Sequence, residues 1–263
     1  MTGAGAVISP FGRLLAANIN VGEHVQRTLF GLTVNVDTLW ATGAAMVVVI
    51  VLGLVLRARA TAGVPGKLQL VWEMGVTAVR RQVEGSIGPA GAAIVPLAVA
   101  LFVFILVANW FEALGIGSDI EWLPAPTGDI NVTLALALVV IIPVHIASVR
   151  RRGLGGYVKH YVAQPFPKAL FPLNAFINGV EEVAKPITLA LRLFGNLLSG
   201  GLMLALIAAL AVWKISGIPV GDVATVVLNP VWKIFDLAIG AIQAFIFSLL
   251  TILYFDTAMS TAH

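Results

Sequence analysis

One arginine stands in a long stretch of sequence that carries almost no other charge. The segment LALRLFGNLLSGG, residues 189–201, contains Arg192, and no other charged residue lies between Lys185 and Lys214. An arginine in the middle of a membrane helix costs about 2.5–3.5 kcal/mol on insertion scales, so it normally faces protein, water or a counter-charge. Because arginine stays protonated at physiological pH, it can hold a fixed charge but cannot relay protons.

Arg192 belongs to a stripe of polar residues at helical spacing. Steps of three and four residues place the members of the stripe on one face of a helix; they are Glu181, Lys185, Thr188, Arg192, Asn196 and Ser199. A second stripe in the following apolar segment consists of Asp236, Gly240, Gln243, Phe247 and Tyr254.

An antiparallel arrangement of these two helices would place titratable groups at two depths. Arg192 and Gln243 would then meet at one depth, and Gly201 would lie level with Asp236. The acidic pair Glu181–Glu182 would lie towards the opposite surface. This arrangement predicts two aqueous paths that do not meet, with a fixed positive charge between them, and it implies a partner that carries a carboxylate into the membrane. A buried ion pair between Arg192 and Asp236 is the structural alternative.

The composition is that of a membrane protein. Only 11% of the 263 residues are charged and 59% are hydrophobic, whereas soluble domains average about 25% charged residues. We predict an all-α polytopic membrane protein that forms a single integral membrane domain over residues 1–263. Its predicted parts are an external segment 1–36, spans at 38–56, 89–111 and 130–149, an amphipathic surface helix at 67–86, and two longer helices at 173–214 and 220–256.

The two last helices are too long to cross a bilayer upright. Helices of 35 to 40 residues are roughly 50–60 Å long, but the hydrocarbon core is only about 30 Å thick. We therefore expect a strongly tilted antiparallel hairpin, with Pro186 and Pro230 as places for a kink.

Loop charges predict the orientation in the membrane. Residues 57–81 and 150–168 each carry five Lys or Arg, whereas residues 112–129 carry four acids and no base. By the positive-inside rule, the basic segments are cytoplasmic and the acidic loop is external. With five crossings, the N-terminus is external and the C-terminus is cytoplasmic.

Several function classes lack any support in the sequence. There is no cysteine, and neither an HExxH motif nor clustered His, Asp and Glu predicts a metal site. The small net charge of +3 does not indicate nucleic-acid binding. A Walker-type glycine loop is absent, so we expect no nucleotide and no cofactor on this chain. His145, near the cytoplasmic end of the third span, is either a proton relay or a hydrogen-bonded structural residue.

Four segments resemble subunit a of the F-type ATP synthase membrane sector. They are GEHV at 22–25, PTGDINVTLALAL at 126–138, LALRLFGN at 189–196 after Lys185–Pro186, and AIQAFIFSLLTILYF at 241–255. They follow the family's order, and the last helix is most similar to actinobacterial members. The resemblance implies a proton-translocating stator subunit in the bacterial plasma membrane. Its partners would be the lipid bilayer, the c-ring, the peripheral-stalk subunit b and b/delta-type subunits.

The resemblance also implies roles for particular residues. Arg192 matches the essential arginine that faces the carboxylates of the c-ring. The positions of Asn196 and Gln243 match polar residues of the same interface. Asp129 and Asn131 match a family pattern at the external end of the third span. The sequence around Glu181–Glu182 resembles that of chloroplast and cyanobacterial members, in which acids lie near the cytoplasmic half-channel.

Two positions depart from the family pattern. Many bacterial members have an acid at the position of Gly201 and a histidine at the position of Asp236. A carboxylate has thus moved from one helix to its neighbour. Our hypothesis is that Asp236 is the main relay of the external half-channel.

Two other functions compete with this interpretation. A self-contained secondary transporter or ion channel could use Arg192 as an anion or gating site, but it predicts internal repeats or broken helix pairs, and the sequence has neither. A non-conducting membrane anchor would leave the polar stripes without an explanation.

Overall fold

The computed structural model describes residues 26–29, 31–114, 124–163, 170–210 and 220–259. Most of the predicted external segment 1–36 and residues 211–214 of the fourth span lie outside the described residues. Within the described ranges, a short β-hairpin precedes a series of helices. The elements are β1 (Gln26–Leu29), β2 (Leu32–Asn35), α1 (Val36–Arg59), α2 (Lys67–Ser86), α3 (Val95–Leu114), α4 (Ile130–Ala163), α5 (Phe171–Leu210) and α6 (Val220–Met259).

The prediction of an all-α polytopic membrane protein is confirmed. All of the helices except α2 are long and apolar enough to cross a membrane, which gives five candidate spans among the described residues. Helix α2 begins and ends at the predicted residues, and its charged residues separate it from the spans. The antiparallel hairpin β1–β2 is the one sheet among the described residues.

Each span differs by some residues from its predicted bounds; the first, predicted at 38–56, is Val36–Arg59. The second begins as a 3-10 helix over Pro89–Ile94 before α3 continues it. The third span was predicted to end at residue 149, before the run of arginines, but α4 continues to Ala163. Charged side chains can extend a helix into the aqueous interface, so the first charge marks the edge of the hydrocarbon and not the end of the helix. Gly153 interrupts α4 with a φ of 69°.

Helices α5 and α6 pair as an antiparallel hairpin. Each has 40 residues, which is about 60 Å of helix, and each continues through its proline, Pro186 or Pro230. Thr225 Oγ1 on α6 donates to Ile207 O on α5 at 3.2 Å, and Trp232 Nε1 donates to Gly200 O at 3.2 Å. The strong tilt of this hairpin stays a prediction.

The core lies between α5 and the helices around it. Helix α4 packs along α5, and α3 packs along α6. The main cluster of buried side chains combines all five spans; it includes Ala45, Ile105, Val140, Leu189, Leu193 and Phe247. A second cluster docks Val83 of α2 against the beginning of α3. The inner face of α5 is therefore fixed by packing, and its outer face is left for other contacts.

The docking of α2 depends on the missing side chain of Gly91. A Cβ at this position would lie 2.5 Å from Val83 Cγ1 and 3.0 Å from Ile87 Cβ. We predict that Gly91→Ala destabilises the purified chain in detergent by about 1–3 kcal/mol, the usual cost of overpacking. Tryptophan fluorescence during heating measures the change in Tm.

Gly75→Ala in the middle of α2 is the matched control, because no atom lies within 4 Å of its Cβ position. Alanine is the better helix former by about 1 kcal/mol, so this variant should melt at the same or a higher temperature. Equal Tm values for the two variants would contradict the packing assigned to Gly91.

Candidate functional site

Arg192 lies on the exposed side of α5. Its neighbours Leu189 and Leu193 are almost fully buried in the core, whereas Arg192 itself is exposed. In the described part of the chain, the guanidinium forms no hydrogen bond and no ion pair. The alternative of a buried Arg192–Asp236 pair is therefore wrong. The compensating charge for Arg192 must come from outside these residues.

The surface around Arg192 is apolar. Large exposed side chains of α5 include Phe176, Val180, Val183, Ile187 and Leu191, and Leu191 is the direct neighbour of Arg192. The hydroxyls of the polar stripe are bonded to their own helix: Thr188 Oγ1 donates to Ala184 O at 2.8 Å, and Ser199 Oγ donates to Asn196 O at 2.8 Å. The guanidinium thus lies next to apolar side chains that are suited to contact with lipid or with another apolar helix, and the charged Lys185 and Glu181 lie about two and three turns before it.

Asp236 lies against Gly200. A Cβ on Gly200 would be 2.7 Å from Asp236 Oδ1, so any larger residue at this position would clash with the carboxylate. The sequence analysis placed Gly201 level with Asp236, and this is corrected by one residue. Helical periodicity gives the relative depth of two helices only to about a residue, because packing sets their rotation and crossing.

Gln243 lies close to the depth of Arg192, as the antiparallel register predicted. Arg192 is eight residues before Gly200, and Ala244 is eight residues after Asp236. The side chain of Gln243 is buried, with 7% of its surface exposed. Its Nε2 has no hydrogen-bond partner among the described residues. This amide is the kind of group that a water molecule or a passing polar group would satisfy.

Asn109 on α3 completes the polar set around α6, and the sequence analysis missed it. Its Nδ2 donates to Gly240 O at 3.1 Å, and its Oδ1 accepts from Thr127 Oγ1 at 2.6 Å. Both side chains are buried. The available signal was an asparagine inside an otherwise apolar span, which a pattern of charged residues does not reveal.

Asp129 and Asn131 are brought together at the beginning of α4. Asp129 Oδ1 accepts from the Asn131 backbone N–H at 2.8 Å and from its Nδ2 at 2.9 Å. Asp129 Oδ2 accepts from Asn35 Nδ2 at 2.6 Å. The carboxylate therefore caps α4 and fastens the β-hairpin to it. A role for Asp129 and Asn131 in a proton path stays a prediction.

A second polar cluster lies towards the other end of α5. Lys185 Nζ is 2.6 Å from Glu182 Oε1 and 3.2 Å from Glu181 Oε1. Glu182 Oε2 is 3.4 Å from His145 Nε2 on α4. These groups line a cavity of about 320 Å³ between α4, α5 and α6. His145 thus contacts Glu182 of the acidic pair, and its role as a proton relay stays a prediction.

Arg192 separates the two polar regions along α5. Glu182 is ten residues before it and Gly200, which faces Asp236, is eight residues after it. These separations correspond to about 15 Å and about 12 Å along the helix axis. The described residues include no group of three His, Asp or Glu side chains that could hold a metal ion. The arrangement suits the uptake and release of protons at two depths.

Comparison with known proteins adds a family to this geometry. Residues 38–256 match the family model described as ATP synthase A chain. The chain is 49% identical to an ATP synthase subunit a from Acidothermus cellulolyticus, over 94% of this chain and 86% of the relative. It is 47% identical to a Mycobacterium bovis subunit a, over 94% and 96%. A Shewanella denitrificans subunit a is 34% identical, over 98% of both chains.

Proposed function

We propose that this chain, which belongs to the ATP synthase subunit a family, is the stator subunit that offers two offset half-channels to the c-ring. Members of this family are proton-translocating membrane components of that enzyme. Arg192 separates the two half-channels. The observation that carries this proposal is an exposed arginine, without an ion pair among the described residues, between two polar regions of one long helix.

The outer side of α5 is the proposed contact surface for the c-ring. A guanidinium within hydrocarbon needs a counter-charge, and each ring subunit would bring one carboxylate past Arg192. The exposed apolar side chains Phe176, Val180 and Leu191 suit the helices of such a ring. Because arginine favours the ionised form of a neighbouring carboxylate, a ring subunit would release its proton on reaching Arg192.

The external half-channel follows the polar residues between α5, α6 and α3. Asp236 is its proposed relay, since it is half-buried next to Gly200 and lies on the external side of Arg192 in the predicted orientation. Gln243 and Asn196 lie between this carboxylate and the guanidinium along the two helices. Ser199 and the buried Asn109 extend the polar lining. Asp129 and Asn131 lie at the external end of α4, where they stabilise the entrance.

The cytoplasmic half-channel is the proposed role of the 320 Å³ cavity. Glu181 is the most accessible of its acids, with 59% of its side chain exposed, whereas Glu182 is 22% exposed. His145 contacts the more buried acid. Protons released by the ring would leave through these groups. Subunit b and b/delta-type subunits would hold the chain against the rotation of the ring.

We predict that Arg192→Ala abolishes coupled proton pumping. Without the fixed charge, ring carboxylates have no group that forces release, and protons can pass directly between the half-channels. The whole enzyme is reconstituted into vesicles, and ATP-driven acidification is followed with a pH-sensitive dye. Acidification should fall to the level of vesicles without enzyme.

Arg59→Ala is the control, because Arg59 is an exposed cation at the end of α1. It should pump at the normal rate. Normal acidification by an assembled Arg192→Ala enzyme would refute the proposed function.

We predict that Asp236→Asn slows pumping about tenfold or more. A positioned acid–base group typically contributes about 10²–10⁴-fold. The amide keeps the shape and the place against Gly200 but cannot carry a proton. The same vesicle assay measures the rate, with Glu73→Gln on the surface helix α2 as the matched change of a carboxylate to an amide. An unchanged rate for Asp236→Asn would exclude this residue as the main relay.

The proposed orientation can be tested by labelling, because the chain has no cysteine of its own. Thr33→Cys in β2 should react with a membrane-impermeant maleimide in intact cells, since β2 is proposed to be external. Ala62→Cys, between α1 and α2, should react only after the cells are opened. Both side chains are exposed. The reverse pattern would invert the assignment of the two half-channels.

A further inference from the structure

A bend in α4 brings Tyr157 back to His145, which lines the cavity. In a straight helix, residues twelve positions apart are about 18 Å apart along the axis. Tyr157 Oη nevertheless lies 3.1 Å from His145 Nδ1, and the two rings meet edge to face with centroids 6.1 Å apart. Gly153 makes this contact possible, because its φ of 69° is open to glycine and rarely to other residues.

His145 is held from both sides of its ring. Its Nδ1 faces Tyr157, which belongs to the segment of α4 after the bend, and its Nε2 faces Glu182 Oε2 on α5 at 3.4 Å. The other oxygen of Glu182 is taken by Lys185 Nζ at 2.6 Å. A continuous series of polar contacts therefore joins Tyr157 to Lys185 through the imidazole and the carboxylate.

Other charged or titratable groups face the same cavity from each surrounding helix. They are Arg152 on α4, Glu181 on α5 and Tyr254 on α6. Arg152 also ties the bend to the neighbouring helix, because its Nη2 donates to Thr257 O at 3.0 Å. On its Nδ1 side, the imidazole of His145 lies within hydrogen-bond distance of the Tyr157 hydroxyl.

We propose that Tyr157 is a positioning residue that fixes the tautomer and the direction of His145, so that Nε2 exchanges protons with Glu182. This inference rests on the proposed function of the cavity as the cytoplasmic half-channel. The bond made by one ring nitrogen decides what the other nitrogen can do. With Nδ1–H donating to the Tyr157 oxygen, Nε2 is left to receive and to give protons.

The exchange step is balanced in protons. Neutral His145 takes one proton at Nε2 from water in the cavity and becomes imidazolium. The Nε2 proton then passes to the Glu182 carboxylate, which becomes a carboxylic acid, and the imidazole is neutral again. Nδ1 keeps its proton throughout. When protons leave through the cavity towards the cytoplasm, the same steps run in reverse, and Glu182 returns to its ionised form.

Pumping by the whole enzyme in vesicles tests this role with Tyr157→Phe. The ring and its edge-to-face contact are kept, and only the hydroxyl is lost. We expect the rate to fall about fivefold, which corresponds to the loss of one ordinary hydrogen bond. In a plot of the pumping rate against the pH of the cytoplasmic-side solution, the limb in which the rate changes with pH should move to lower pH. The reason is that the imidazolium of His145 loses the acceptor of its Nδ1 proton. Lys159→Gln, an exposed neighbour on the same segment, should leave the rate and this limb unchanged.

A double-mutant cycle separates positioning from a structural effect. In a His145→Gln enzyme, the further change Tyr157→Phe should cost nothing, because the group that it positions is gone. Gly153→Ala gives a second route to the same result: it strains the bend, should slow pumping, and should also have no further effect in the His145→Gln background.

The inference is overturned if Tyr157→Phe leaves the rate and its pH dependence unchanged, or if its effect is as large without His145 as with it. Its failure is distinct from a failure of the proposed function. Arg192→Ala would still abolish coupled pumping if only the role of Tyr157 were wrong. Retained pumping by Arg192→Ala would remove the premise itself.

Discussion

The whole structure is arranged around a positive charge that has no counter-charge among the described residues of the chain. Arg192 is exposed on α5, next to apolar side chains that are themselves exposed. In hydrocarbon this arrangement is costly for an isolated protein. It becomes favourable when a partner brings a carboxylate to the guanidinium. In the proposed function this partner is the c-ring, and the incomplete site is then the expected state of a subunit seen by itself.

Packing on the opposite side of α5 holds this charge in place. Leu189 and Leu193 are almost completely buried between α3, α4 and α6, so the rotation of α5 about its axis is fixed close to Arg192. Glycines serve the polar residues on the same helices. Gly200 leaves space for the Asp236 carboxylate, and Gly240 allows Asn109 to reach a backbone carbonyl of α6. The contact with Asp236 therefore uses the same face of α5 as the apolar packing.

The sequence predicts what depends on periodicity and on the position of charges. The five spans, the limits of α2, the stripe that contains Arg192 and its depth relative to Gln243 follow from such patterns. Three features do not. The partner of Asp236 is Gly200 and not Gly201, because side-chain packing sets the rotation of each helix. Asn109 is uncharged, and its importance depends on contacts with Thr127 and Gly240, which are distant in sequence. The contact between Tyr157 and His145 needs the bend at Gly153, which a local pattern does not specify.

The chemistry on the two sides of Arg192 differs, and the difference follows from what each region contacts. On the side of Asp236, a half-buried carboxylate lies against Gly200, and the amides of Asn109 and Gln243 lie further along α3 and α6. On the other side, Glu182 is bonded to a cation and lies next to an imidazole. Neither region can pass protons to the other through Arg192, since a guanidinium does not give up its proton. In the proposed function, transfer between them takes place on a carrier that moves past the arginine. A static channel within one chain would not need such an interruption, whereas a stator that acts on a rotating ring requires it.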